Sequence, residues 1–358
     1  MAELIRVVLV DDSAFVRQAV QRMLTPLPGV EVIATASTGS EGIALARTLR
    51  PDVVVLDVNL PDRDGLDVLQ EIMQVAPTGV LMLSTLTTDG ADVTMRALEL
   101  GAVDFVDKAS AGTTMEIHRL GPVIQEKVLA VAGAAVPRAA VATPTAAPGG
   151  VPAAPPPRRE GGPYDLVVIG SSTGGPRALM EVIGVLPADL PAAVVVAQHM
   201  PAGFTSTLAE RINRRSPILV AEAQDGDTLD AGRVLIAPGG SQVRVEREGG
   251  QLRLKVSEAT GEYLHRPSVD LLFHSAAEAA GSRVIGVVLT GMGDDGAAGL
   301  RALREAGART LAESEETAVI FGMPRAAAPA AERVLRLEAI GGAVAALCGG
   351  RAEPNGGF

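Results

Sequence analysis

At 358 residues the chain exceeds what one ordinary hydrophobic core accommodates and suits two domains. A net charge of −11 and an aromatic content of 2% exclude a general nucleic-acid binder and a base-stacking surface. A single cysteine, Cys348, excludes a disulfide framework and a cysteine-rich zinc site, and no apolar run is long and uncharged enough to insert in a membrane.

The start MAELIRVVLVDD runs straight into a predicted strand without a signal peptide, so a cytoplasmic protein is expected; a monomer is expected as well. IRVVLV, VEVIATA, DVVVLDV, GVLMLS and AVDFVDK predict five short strands. FVRQAVQRML, SEGIALARTL, GLDVLQEIMQV and DVTMRALEL carry apolar residues at helical spacing between them, and a fifth helix is predicted over about Thr114–Ala130. Strands that are apolar throughout are buried on both faces, which predicts a parallel sheet covered by helices. Five such βα units fit a flavodoxin-like fold of strand order 2-1-3-4-5.

Asp11 and Asp12 then follow the first strand and Asp57 ends the third, beside the switch point where ligands bind. Three carboxylates gathered there repel one another unless one is protonated or a hard cation such as Mg²⁺ is present. Ser84 and Lys108 end the fourth and fifth strands, adding a hydroxyl and an ammonium at the same rim. Carboxylates, cation, hydroxyl and lysine together form a device for phosphorylating an aspartate.

On VDDS, VVLDVNLPDRDGL, LMLST and VDFVDK, residues 5–128 resemble a two-component receiver domain. The resemblance implies that a cognate histidine kinase phosphorylates Asp57. It also implies that Asp11, Asp12, Asp57 and the Asn59 carbonyl hold Mg²⁺, that Ser84 hydrogen-bonds the phosphoryl group, and that Lys108 pairs with it. Leu60-Pro61 stands where the family more often has Met-Pro, and Ala109 where it usually has proline. Altered loop geometry is expected from these departures, with phosphorylation retained.

Residues 131–163 are dominated by alanine, proline, glycine and valine and predict a partly extended linker. It separates a regulatory domain at 1–130 from a second domain at 164–350, which is followed by a tail at 351–358. The second domain opens with the strand DLVVIG, the turn GSSTGGP and the helix PRALMEVIGVL. The strand AAVVVAQHM, a helix near 203–213, a hairpin around Gly249-Gly250 and the buried strand SRVIGVVLTG follow. A Rossmann-like α/β domain with a β-hairpin insertion is predicted.

GSSTG, Gly170–Gly174, satisfies G-x-S-x-G with Ser172 at its centre. Such a turn can expose a nucleophile at a helix start, cradle a phosphate, or merely reverse the chain. The phosphate reading lacks the lysine of a Walker-type loop, and Arg177 lies beyond Pro176 on the helix. A reactive serine needs a base. His199 ends the strand after the Ser172 helix, and a right-handed crossover brings that strand beside, or close to, the Ser172 strand. His118 falls in the last helix of the first domain, His274 reads as packing, and no strand end positions His265. Asp294 and Asp295 follow VIGVVLTG at the same rim, and Asp295, just before Gly296, is placed to orient an imidazole.

On IGSSTGGPRAL, VAQHMPAGFT, LIAPGG, HRPSVDLLF, VVLTGMGDDGAAGL and AVIFGMPRAA, residues 164 to about 340 resemble the catalytic domain of chemotaxis protein-glutamate methylesterases. The resemblance implies Ser172 as nucleophile, His199 as base and Asp295 as its orienting carboxylate, with Ser171 structural. Backbone N–H groups of Thr173 and Met292 would bind the oxyanion. It further implies demethylation of glutamyl γ-methyl esters and deamidation of selected glutamines on methyl-accepting receptor helices, without a hydrolytic cofactor. The unphosphorylated receiver is expected to restrain the catalytic rim. Arg211, Arg214 and Arg215 form a candidate approach surface for carboxylate-rich helices. The alternative is a phosphorylation-dependent signalling module without esterase activity. No basic helix-turn-helix follows the linker, against a transcription regulator.

Overall fold

Five apolar runs become the sheet of the first unit: β1 (Ile5–Val10), β2 (Val30–Ala36), β3 (Val53–Asp57), β4 (Gly79–Ser84) and β5 (Asp104–Asp107). They pair in the order β2-β1-β3-β4-β5, all parallel, as the alternation of apolar runs and helical patterns predicts. The helices are α1 (Ala14–Leu24), α2 (Gly39–Leu49), α3 (Gly65–Val75), α4 (Thr88–Glu99) and α5 (Gly121–Ala132). Ser13, Thr38 and Asp64 cap the first three with side-chain oxygens, which accept from backbone N–H groups of the first turn.

The computed structural model describes residues 4–84, 88–111, 114–134, 162–258 and 263–349. By its contacts the chain divides into Met1–Thr143 and Pro144–Phe358. Most of the expected linker, 135–161, and the whole 351–358 tail lie outside the described residues. One expectation needs correction: the stretch from Thr114 is not one α-helix. Thr114–Leu120 is a 3₁₀ segment, and α5 starts only at Gly121. Pro122 explains the break, because its ring and missing N–H are tolerated in the first turn of a helix and not inside it.

The second unit begins with β6 (Leu166–Ser171), α6 (Gly175–Gly184), β7 (Ala193–Gln198) and α7 (Phe204–Arg215). β8 (Leu219–Glu222), β9 (Arg233–Ile236) and the hairpin β10 (Ser241–Glu248) and β11 (Gln251–Glu258) follow. The chain continues through α8 (Val269–Ala280), β12 (Val284–Val288), α9 (Ala297–Glu305) and β13 (Arg309–Glu313). It closes with α10 (Met323–Ala327), β14 (Arg333–Leu335) and α11 (Leu337–Cys348).

Seven of these strands form one parallel sheet, β14-β13-β12-β6-β7-β9-β8. From β6 the chain winds one way to β7, and from β12 the other way to β13 and β14. The switch point of this doubly wound sheet therefore lies between β6 and β12. β6, β7 and β12 are buried along their whole length, and each fully buried Val, Leu or Ile contributes roughly 1.5–3 kcal/mol.

The hairpin forms a separate two-stranded sheet whose turn uses positive φ at Gly249 and Gly250. It packs on α8, where Val245 N–H donates to Ser275 Oγ. Gly170 on β6 permits close packing of the same helix, because a Cβ there would come within 2.1 Å of Val269. Cys348 is buried, and burial pushes its thiol up to about 12, which leaves it inert. Among the described residues no helix is long and apolar enough to cross a membrane.

Candidate active site

The serine turn sits at the switch point. Ser171, the last residue of β6, is fully buried and its hydroxyl donates to Gln198 Oε1 at 2.7 Å. The Gln198 amide donates back to the carbonyls of Ser172 (2.9 Å) and His199 (3.0 Å). One buried glutamine at the end of β7 thus clamps both rim turns together. Gly175 makes room for it, since a Cβ there would lie 2.0 Å from Gln198 Oε1. Gly174, with φ of +81°, takes the left-handed conformation that starts α6. Ser172, partly exposed, is left at the apex.

From the β12 side, the Thr290 carbonyl accepts from Ser172 N–H at 3.0 Å and its hydroxyl donates to the Thr173 carbonyl at 2.9 Å. Thr290 N–H in turn donates to Glu313 Oε2 at 2.8 Å. Gly291 presses against the serine, because a Cβ there would come within 2.8 Å of Ser172 Cβ. This contact brings the Gly291–Met292–Gly293 backbone beside the serine turn, and Met292 is partly buried there. Thr173 is buried one residue after Ser172.

β7 pairs directly with β6, so His199 follows the neighbouring strand at the same rim. Its Nε2 lies 2.8 Å from Asp295 Oδ2, while Nδ1 is buried with no hydrogen-bond partner. Asp295 comes from the loop between β12 and α9 and also accepts from Ser268 Oγ (3.1 Å), Val269 N–H (2.8 Å) and Asp270 N–H (2.9 Å). The last two belong to the first turn of α8, whose unpaired N–H groups attract an anion. Burial alone would raise the Asp295 carboxyl, yet the His199 hydrogen bond and charge and these backbone donors hold it at about 2. Asp294 points to solvent, so the second aspartate of the pair is the inward one.

His265 was given no place at this rim by the order of strands. The structure corrects this: its ring stacks on His199, with centroids 4.0 Å apart and planes 15° apart. His118 lies exposed in the 3₁₀ segment before α5, and His274 lies half-buried on α8. The three arginines, Arg211, Arg214 and Arg215, all lie on α7. α7 starts after the His199 rim and returns to the amino ends of the parallel strands, where β8 begins. Its twelve residues carry Arg214 and Arg215 about 18 Å along the helix axis, away from Ser172. Arg214 donates to the Glu210 carbonyl and Arg215 reaches the Met180 sulfur on α6.

A second cluster stands at the switch point of the first unit. Carboxylate oxygens of Asp11, Asp12 and Asp57 lie within 4.8 Å of one another. Lys108 Nζ bridges two of them, 2.7 Å from Asp57 and 3.4 Å from Asp11. Burial raises the Asp57 carboxyl to about 6 despite the lysine, and burial raises Asp11 as well. One ammonium against three carboxylates leaves surplus negative charge, and these hard oxygen donors fit Mg²⁺ better than a softer metal. The Asn59 backbone bridges to Asp64 beside the cluster. Ser84 is buried at the end of β4, where its Oγ accepts from Thr94 Oγ1 at 2.8 Å.

Among known proteins, the family profile described as CheB methylesterase matches residues 167–344, and that described as response regulator receiver domain matches residues 7–118. The chain is 45% identical over 350 residues to "Protein-glutamate methylesterase/protein-glutamine glutaminase 3" of Geobacter sulfurreducens, covering 90% of this chain and 91% of that one. It is 44% identical over 353 residues to "Protein-glutamate methylesterase/protein-glutamine glutaminase" of Geobacillus kaustophilus, covering 96% and 99%. Its fold is similar to the crystal structure of the Thermotoga maritima CheB methylesterase catalytic domain. That match has 40% identity and a TM-score of 0.50, over 51% of this chain and 98% of that one.

Proposed function

The chain belongs to the protein-glutamate methylesterase/protein-glutamine glutaminase family, and from that premise we propose that Ser172, His199 and Asp295 carry out ester and amide hydrolysis under control of phosphorylation at Asp57. The observation that carries the reading is the oriented imidazole. With Nε2 held by Asp295, Nδ1 is left as the nitrogen to act as base, and the His199 backbone is tied to the serine turn by its N–H donating to the Ser171 carbonyl at 3.0 Å. In the reaction Nδ1 takes the Ser172 proton as Oγ attacks a glutamyl γ-ester carbonyl on a chemoreceptor helix. Asp295 balances the imidazolium. Thr173 and Met292 N–H groups face the developing oxyanion, and a donor in that role contributes about 3 kcal/mol to the barrier reduction. The imidazolium returns its proton to the leaving oxygen, and methanol departs. Water, deprotonated by the same imidazole, then frees the glutamate carboxylate and regenerates Ser172. A glutamine side chain follows the same route with ammonia leaving.

In the receiver, a histidine kinase supplies the phosphoryl group to Asp57, Lys108 pairs with its oxygens, and Ser84 donates to one of them. Asp11, Asp12, Asp57 and the Asn59 carbonyl would hold Mg²⁺. When bound there, the ion neutralises phosphoryl oxygens that the surplus carboxylates would otherwise repel.

The test is methanol release from methylated receptor membranes, with and without a small phosphodonor. Wild type should be stimulated by the donor, and Ser172→Ala should fall by at least a thousandfold in kcat. A Ser172→Ala variant that releases methanol at the wild-type rate refutes the serine mechanism. Signalling that persists without any release would favour the binding-module reading.

A further inference from the structure

We propose that His265 is a positioning residue for the hydrolytic reaction: stacked on His199, it fixes the plane of the catalytic imidazole so that Nδ1 faces the nucleophile. The inference rests on the reading of His199 as the base. It starts from a gap in the geometry of that base. The bond from Nε2 to Asp295 Oδ2 fixes one point of the ring, and the ring can still swing about that contact. Nδ1 has no hydrogen-bond partner to stop it. A face-to-face neighbour supplies the missing restraint, and His265 lies parallel to His199 at stacking distance.

The support of His265 is itself built. Its carbonyl accepts from Gln242 Nε2 at 2.8 Å, and Gln242 Oε1 accepts from Ser268 N–H at 2.8 Å. Gln242 is buried at the base of the hairpin. Gly240 N–H donates to the Arg266 carbonyl at 3.1 Å, which ties the same loop a second time. The loop ends at Ser268, whose hydroxyl donates to Asp295. The hairpin base, the His265 loop and the orienting carboxylate therefore form one connected frame around His199. This assigns the hairpin a purpose that the parallel sheet alone does not explain.

The chemistry of the partner ring fits the task. The charged groups facing His265 are His199, Asp295 and Asp294; burial first, and then His199, depress its imidazole to about 4. A neutral ring can lie against His199 while that residue becomes an imidazolium. A cationic side chain at this position would repel the charge formed during acyl transfer.

The experiment compares His265→Ala and His265→Phe in the full-length protein, measuring kcat and KM for methanol release with phosphodonor present. ¹⁵N spectra of the His199 ring are recorded in parallel, with Ser172→Ala as the control for the hydrolase reading. We expect His265→Ala to lower kcat about tenfold with KM within about twofold, and to broaden or split the His199 ring signals. His265→Phe, which keeps a flat face, should regain most of the lost kcat and a single ring signal. If His265→Ala does not fold, His265→Asn replaces it under the same criteria. Wild-type kcat in the ring-deleted variant, or a phenylalanine variant as slow as the alanine one, overturns the inference. If Ser172→Ala is also active, the hydrolase reading falls first; if it is inactive, only the positioning role of His265 is lost.

Discussion

Both units gather their reactive groups at the carboxyl ends of parallel strands, beside a switch point, yet they balance charge in opposite ways. At the catalytic rim, Asp295 is held by His199, Ser268 and the first turn of α8, and its carboxyl sits at about 2. At the receiver rim, Lys108 pairs with Asp57 and Asp11 while Asp12 adds a third carboxylate, and burial raises Asp57 to about 6. A charge satisfied from within is a fixed part of a reaction site. The receiver cluster instead keeps a surplus of negative charge that Lys108 does not offset.

This contrast can be broken most sharply at Asp295. Asp295→Asn keeps the shape but removes the anion that orients and balances His199, and kcat for methanol release should fall by about 10³–10⁴-fold. A loss under tenfold would mean that the carboxylate only caps α8.

The catalytic unit also buries an acid other than Asp295. Glu313 is fully buried behind the nucleophile loop, accepts from Thr290 N–H, and is raised to about 7, first by burial and further by Glu181 and Glu338. The native state therefore keeps a proton that the unfolded chain releases near 4.5. Stability linked to this group is full below that pH and is lost as pH rises through about 7. Glu313→Gln preserves an acceptor for Thr290 and removes the loss. The variant should match wild type at about pH 4 and exceed it by roughly 2–3 kcal/mol at about pH 8, read by denaturant unfolding. Equal stability at both pH values would show that Glu313 is ionised in the fold.

In the receiver, the reverse of Asp295→Asn is expected. Asp57→Asn relieves the crowding, so at neutral pH with a chelator the variant should be more stable by roughly 1–2 kcal/mol, and the gain should shrink on adding Mg²⁺. Its rate ratio with and without phosphodonor should be one. A destabilised variant would indicate that the Lys108 pair outweighs the repulsion.

The sequence by itself determined the receiver sheet almost completely, because runs such as VVVL and VLML are apolar at every position, as central strands buried on both faces are. Ser172, His199 and Asp295 are legible in the sequence as polar residues that follow apolar strands. Short strands were harder to read. β8, β9 and β14 span three or four residues, too few for a period to show. The helical spacing from Thr114 hides the boundary at Gly121, which Pro122 sets because proline is tolerated in the first turn of a helix and not inside it.

Other features belonged to the tertiary structure alone. Gln198 was readable only as a polar residue ending a buried strand, and its grip on two turns needs the β6–β7 pairing. His265 reaches His199 through the hairpin base, and Arg214 and Arg215 leave the site because α7 runs back along the sheet. The physical reason is common to all three. Periodicity and turn chemistry are local and survive in one dimension. Contacts across strands, and the end of the sheet at which a helix stops, depend on the order in which strands assemble.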